Sequence, residues 1–349
     1  MNMHRKILSA FTLSLLVVMS SISFAFAGTG PRKPAARKQV DPLVAKLPAS
    51  DAVAVVDARR FFDDAMPKLL AAQPGLLSKI NGHLAEFQTK TGIDARKFDR
   101  LAMGANIKKE AVKDFDVDFV VLARGSMNAG SLIAGAKLAS NAGYREETLA
   151  GRTIYIFTPQ SIADKTAPDS TAAAVAPKVP AELAVTAYDA TTLAIGSPAR
   201  VRDTLEAKGG LSPELTGLLT QHANPVVAFA SRVPEGARNL LPMDNDELGK
   251  NIESIKFVYG WADVGVGKTS MNLTARTATP ENAKGLFDTV DFLKTLGKGL
   301  LGNSKKPENA VYARLIDSAK LSNAGNEVAI DLVVAQSDLD LLLGMLNKK

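Results

Sequence analysis

The run Ala262-Asp263-Val264-Gly265-Val266-Gly267-Lys268-Thr269 is the sharpest chemical pattern in the chain, a phosphate-loop sequence with alanine in place of its first glycine. A phosphate loop works by following a strand and opening a helix, whose first amides face the phosphates. Here the next residues, Ser270-Met271-Asn272-Leu273-Thr274-Ala275-Arg276, alternate polar and apolar, which is the period of a half-buried strand. The spacing therefore predicts a hairpin. Phe257 to Trp261 lead up, Gly265 to Lys268 turn, and the 270s strand returns. Nucleotide binding is not expected.

Other chemistries lack a necessary part. Lys90-Thr91-Gly92 matches one element of the penicillin-binding and serine β-lactamase set, but that set needs a Ser-x-x-Lys nucleophile, and no serine here has lysine three positions on. There is no Gly-x-Ser-x-Gly elbow either. The three histidines are His4, His83 and His222, and cysteine is absent, so His-rich and thiolate metal sites have no material. His83 stands three residues before Glu86 and reads as helix surface. The acids at Asp63-Asp64, Asp114 to Asp118 and Asp244 to Glu247 lack the glycine and distal glutamate of an EF-hand loop and read as surface turns. Trp261 is the only tryptophan, which leaves little for a sugar platform, and the sequon Asn272-Leu273-Thr274 falls in the predicted strand. Carboxylate pairs for glycoside cleavage need only spatial proximity, so sequence leaves them open. No catalytic residue, cofactor or metal ligand is assigned.

The N-terminus carries an export signal. Arg5 and Lys6 precede an apolar stretch from Ile7 through Phe26, and Ala25-Phe26-Ala27 before Gly28 is a signal-peptidase sequence, placing cleavage between Ala27 and Gly28. An uncleaved anchor would need about 20 apolar residues, but Ser9, Ser14, Ser20, Ser21 and Ser23 dilute the stretch. No later run is long enough to span a membrane, so none is expected after cleavage. An exported chain without cysteine holds itself together by its core alone, which points to a bacterial periplasm or cell envelope.

Charge follows the same division. The net +6 sits wholly in residues 1–40, where Arg5, Lys6, Arg32, Lys33, Arg37 and Lys38 meet no acid. The rest is formally neutral, unlike a nucleic-acid-binding fold, which concentrates cations on itself. Residues 28–47 read as a basic flexible linker, and 159–180, rich in Ala, Pro, Ser and Thr, as a mobile insertion.

The remainder repeats one grammar: a strand, a turn, then a capped amphipathic helix. Asp118 to Gly125 precedes a helix capped by Asn128 with Leu132, Ile133 and Ala136. Leu193 to Gly196 precedes Ser197-Pro198 with Val201 and Leu205. Met271 to Thr277 precedes Thr279-Pro280 and a stripe of Phe287, Val290, Leu293 and Leu296. Val328 to Ala335 precedes Ser337 with Leu339, Leu342, Leu343 and Leu346. Leu77, Ile80, Leu84 and Phe87 mark a further helix ending at Gly92. Hairpins are expected at Ala150-Gly151 and Asp189-Ala190. The expected fold is α+β: two similar halves, residues 48–210 and 223–349, of mainly antiparallel sheet with amphipathic helices packed on one face, with one shared sheet or two both compatible with the pattern.

Leu47-Pro48-Ala49-Ser50-Asp51, then Phe87-Gln88-Thr89-Lys90-Thr91-Gly92-Ile93-Asp94 with Phe98-Asp99-Arg100, resembles a group of exported bacterial proteins of unknown function with tandem α+β repeats. The match covers mainly residues 47–125, with Ser50 inserted before Asp51. It implies an envelope location and supplies no functional residue. A non-enzymatic binding module is the leading expectation, its partner an envelope protein or an apolar ligand. The alternatives are an envelope hydrolase with carboxylates assembled by the fold, or a carrier of an apolar ligand. Oligomeric state is not legible in the sequence.

Overall fold

Alternating apolar residues give each strand one or two faces to bury and two edges to pair. The computed structural model describes residues 40–91, 94–111, 114–126, 128–139, 143–158, 182–236, 246–302 and 307–346. Its strands are β1 (Ala52–Asp57), β2 (Phe98–Ala111), β3 (Asp114–Gly125), β4 (Tyr144–Leu149), β5 (Arg152–Phe157), β6 (Leu183–Asp189), β7 (Thr192–Gly196), β8 (Val227–Arg232), β9 (Ile255–Gly265), β10 (Lys268–Thr277), β11 (Lys320–Ala324) and β12 (Glu327–Ala335). The helices begin with α1, in which Ala58–Arg60 runs through a π turn (Phe61–Ala65) into Met66–Leu69. They continue as α2 (Pro74–Thr91), α3 (Ala129–Ala139), α4 (Pro198–Leu205), α5 (Pro213–Leu219), α6 (Asp246–Glu253), α7 (Pro280–Gly302), α8 (Pro307–Ser318) and α9 (Gln336–Leu346).

The strands form one 12-stranded sheet, β11-β12-β10-β9-β8-β1-β2-β3-β7-β6-β5-β4. Every pairing is antiparallel; at the centre Val55 of β1 lies between Ala102 of β2 and Ala228 of β8. Outward from the β1–β8 junction the flanks run β1, β2, β3, β7, β6 and β8, β9, β10, β12, β11, with the β5–β4 hairpin added to the first. The predicted hairpins form. Gly265 pairs with Lys268, and Gly267 takes the positive φ of 71° that a tight turn needs.

Most helices gather on one face of the sheet. There Ala129, Leu132 and Ile133 of α3 meet Ala123 and Leu193, while Ala65 of α1 meets Val227. Two helices correct the one-face expectation. Val201 and Leu205 of α4 and Leu215, Leu218 and Leu219 of α5 pack on the opposite face, against Val53, Val55, Val120 and Leu122. The cause is in β1: Val55 and Val56 point to opposite sides, so a central strand apolar on both faces needs cover on both.

The linker expected up to residue 47 also ends earlier. Val44–Lys46 forms a 3-10 turn, and Leu43, Val44 and Leu47 are 1%, 2% and 1% exposed inside the main core. Arg100 bonds Asp41 at 2.6 Å and Asp57 at 2.9 Å, fixing this segment to the edge of β1. Lys46 bonds Asp189 at 3.0 Å beside the β6–β7 turn. Three apolar side chains overrode a basic, proline-containing context because α4 and α5 provide a place to bury them.

Arg200 of α4 is buried, and its guanidinium donates to the Ser50 hydroxyl at 2.6 Å, holding the Leu47–Asp51 segment. Burial pulls its pKa down, while Asp203, Asp118 and Asp51 oppose that.

Candidate interaction surface

Helix α7 starts as its sequence dictates. Thr279 accepts from the Asn282 amide at 3.2 Å, and proline, lacking an amide to satisfy, is the first helical residue. Ala283, Leu286, Phe287 and Val290 then pack onto Val328, Leu321 and Ala275 of the sheet. Asn251 of α6 donates to the Gly285 carbonyl at 3.2 Å and the Thr289 hydroxyl at 2.8 Å. The first half of α7 is thereby clamped between sheet and α6.

The second half is apolar on its outside. Phe292, Leu293, Leu296 and Leu300 are 65%, 38%, 47% and 70% exposed. Their offsets of one, four and eight residues place them on one helical stripe about 100° wide. The opposite side stays attached. Lys294 donates to the Ala319 carbonyl, and a side chain at Gly297 would come 3.2 Å from Ile316 of α8, so the glycine permits a close helix approach.

Charge changes along the same helix. The first half carries Glu281, Asp288 and Asp291, with Lys284 bonding Asp288 at 2.7 Å. From Phe292 to its end at Gly302 the helix holds Lys294 and Lys298 and no acid. Lys298 reaches Asp317 of α8 at 2.6 Å through an exposed pair. Single exposed apolar residues are ordinary on a protein surface, but a contiguous stripe of large ones marks a place of contact.

The sequence expectation for this helix, one buried stripe through Phe287, Val290, Leu293 and Leu296, is half met: the first two pack inward and the last two do not. A signal was present in Phe292 and Leu300, large apolar residues off the buried stripe.

The remaining sequence candidates resolve as structure. Lys268 and Thr269 lie in β10, directly after the turn, with no helix to face a phosphate. His83 is exposed on α2, whereas His222 stacks on Trp261 at 3.7 Å between ring centroids. Asn272 of the sequon is buried. Its amide donates to Asp331, and its oxygen accepts from the Thr274 hydroxyl at 3.0 Å. Asp64 bonds Lys68 at 2.6 Å and Asp118 bonds Lys108 at 2.9 Å, as surface ion pairs do. Ala25, Ala27, Gly28, the 159–180 insertion and Gly92 lie outside the described residues.

The acid-base groups give no carboxylate with raised pKa among the described residues. The shifted ones, Asp94, Glu147, Asp189 and Glu281, all move down. For Glu147 the leading cause is the Arg202 guanidinium, bound through both oxygens at 2.7 and 2.6 Å. Burial opposes ionisation of Asp189, yet hydrogen bonds led by the Lys46 ammonium hold its carboxyl at about 2. Among the described residues no group of three or more His, Cys, Asp and Glu could hold a metal ion, and no helix is long and apolar enough to cross a membrane. Two clefts among the described residues, of about 240 and 300 Å³, are lined in part by charged and polar groups, Glu235, Glu253 and Lys256 in one, Gln88, Asp94 and Lys97 in the other. Neither is the apolar chamber a lipid carrier needs.

No family description and no curated protein matches the chain. Solved structures of TP0453 from Treponema pallidum are similar to it at a low level. Crystal form I gives a TM-score of 0.42 with 11% identity, covering 88% of this chain and 98% of that one. Crystal form III gives 0.43 with 10% identity over 87% and 98%.

Proposed function

We propose that this chain is an exported bacterial protein that acts without catalysis, docking at the cell envelope through the outer stripe of α7. The observation that carries the reading is the run of Phe292, Leu293, Leu296 and Leu300 exposed on a helix whose other side is firmly packed. Export is supported by the N-terminal signal, with cleavage between Ala27 and Gly28, and a bacterial envelope by the absence of cysteine. The matching strand order of the two flanks supports descent from a duplicated α+β unit, residues 48–210 and 223–349. Residues 159–180 are a linker-like insertion on the same compositional ground, and 28 to about 40 a basic leader.

The test is fractionation of host cells producing the wild type or Leu296→Ser/Leu300→Ser. Both substitutions fall at exposed positions, so folding and melting temperature stay close to wild type. The wild type is expected to be retained with the envelope and the variant to shift to the soluble exported fraction. Equal partition of the two, with both folded, would overturn the reading.

A further inference from the structure

We infer that in solution the α7 stripe pairs with the same stripe of a second copy of this chain, the two helices antiparallel about a two-fold axis at Leu296. This goes beyond the docking reading above, because it names what covers the stripe before the protein docks. The stripe carries no charge: Phe292, Leu293, Leu296, Leu300 and the exposed Gly299 make its surface. Lys294 and Lys298 turn to the other side of the helix, where they bond the Ala319 carbonyl and Asp317. The stripe also continues the face that Asn251 of α6 covers at Gly285 and Thr289, so this side of α7 already takes a helix along its first half.

A two-fold axis sets each residue near it against its own image, so a lysine or an acid there would meet a like charge. The residue at this axis is a leucine. Reversing the helix about Leu296 brings position 292 level with 300 and position 293 level with 299. At about 100° per residue, Phe292 and Gly299 fall on one flank of the stripe and Leu293 and Leu300 on the other. Phe292 of one copy therefore lies over Gly299 of the second copy, and Leu293 lies against Leu300. A side chain at Gly299 would meet no atom within 4 Å, so the position is open to receive the largest side chain of the stripe. That match of large to small belongs to the helix and its own reverse, which a second copy supplies. The folded body does not oppose the approach, since the chain beyond residue 40 is formally neutral. The exposed fractions of the four side chains amount to roughly 400 Å² of apolar surface per copy, at the low end for a specific contact. Pairing is thus reversible, and in dilute solution the copies separate and leave the stripe free to dock.

The experiment is sedimentation velocity of the mature protein over a roughly hundredfold range of concentration, joined to oxidative cross-linking of single-cysteine variants in a chain that has no cysteine of its own. Each variant is checked for an unchanged melt. Wild type is expected to pass from monomer to dimer as concentration rises, and Leu296→Ser/Leu300→Ser to dimerise at least about tenfold more weakly. Leu296→Cys, at the axis, should form a covalent dimer on mild oxidation. Leu300→Cys should not, because its two copies stand about 12 Å apart along the helix axis at ~1.5 Å per residue, beyond the reach of a disulfide. The Leu296→Cys dimer should fail to bind isolated envelopes that the reduced protein binds. A wild type monomeric at every concentration, or a dimer that the leucine variant forms equally well, would overturn the inference; envelope retention still lost in that variant would leave the docking reading standing. Cross-linking of Leu300→Cys as fast as Leu296→Cys would overturn the antiparallel arrangement. Dimerisation lost in the leucine variant with envelope retention unchanged would overturn the docking reading and leave the pairing.

Discussion

Replacing Leu47 by alanine tests whether residues 41–47 belong to the fold or to the leader that their composition suggests. Leu47 is 1% exposed and shares its core with Val53, Val55, Leu215 and Leu218. Truncation removes three carbons, about 2.4 kcal/mol of transfer free energy at roughly 0.8 per methylene. The cavity left among strands and helices that cannot fully collapse adds to this, as Leu→Ala changes in cores cost about 2.7–5 kcal/mol. We expect about 3 kcal/mol, read as a lower urea midpoint with an unchanged slope, or a melting temperature lower by roughly 4–5 °C for a chain of this size. Leu43→Ala should behave alike. A loss below about 0.5 kcal/mol in both would mean that the segment detaches without harm, refuting its place in the core.

Gly260→Ala should destabilise by about 3 kcal/mol or more, because its methyl would sit 2.1 Å from the Asn272 carbonyl oxygen and 3.0 Å from the Phe229 ring. A midpoint within error of wild type would show that β9 and β10 can separate locally. The Lys46–Asp189 tether predicts an acid dependence. The Asp189 carboxyl ionises at about 2 in the folded protein against 3.8 for an unperturbed aspartate, so its contribution is present above about 3.8 and lost as pH falls toward 2. The side chain is 40% exposed, and solvent screening limits the effect to under about 1 kcal/mol. The denaturation gap between wild type and Asp189→Asn should narrow over that window, and a gap constant with pH would contradict the assignment. Intact-mass measurement of the protein from its host should give a chain beginning at Gly28; a Met1 start would overturn cleavage.

The antiparallel sheet was legible wherever period two was clean, as in the β9–β10 hairpin, where Ser270 to Arg276 alternate without interruption. Helix starts were legible where a cap and proline coincide, as at Thr279-Pro280. The same logic failed twice in detail. Ser197 occupies the cap position of α4, but its hydroxyl is buried without a partner, so the proline alone sets that start. Ser337 was expected to cap α9, yet β12 runs directly into the helix at Gln336, whose amide donates to the Gly267 carbonyl. Short elements escaped for want of a measurable period: α5 offers only Leu215, Leu218 and Leu219, and the 3-10 turn only Val44 between Leu43 and Leu47. The α7 surface was half legible. Its apolar residues were visible, but which of them the sheet covers depends on where the helix leaves the sheet, a tertiary fact.

The absence of cysteine permits one direct test, since a single introduced thiol is the only one in the protein. Leu300→Cys, at the exposed end of the stripe, is compared with Val266→Cys, at the 90% exposed tip of the β9–β10 turn. Both should react rapidly with a maleimide in the purified protein. In the intact envelope, docking through α7 predicts that Leu300→Cys is protected severalfold while Val266→Cys still reacts. Equal labelling of Leu300→Cys in the envelope and in solution would contradict the account.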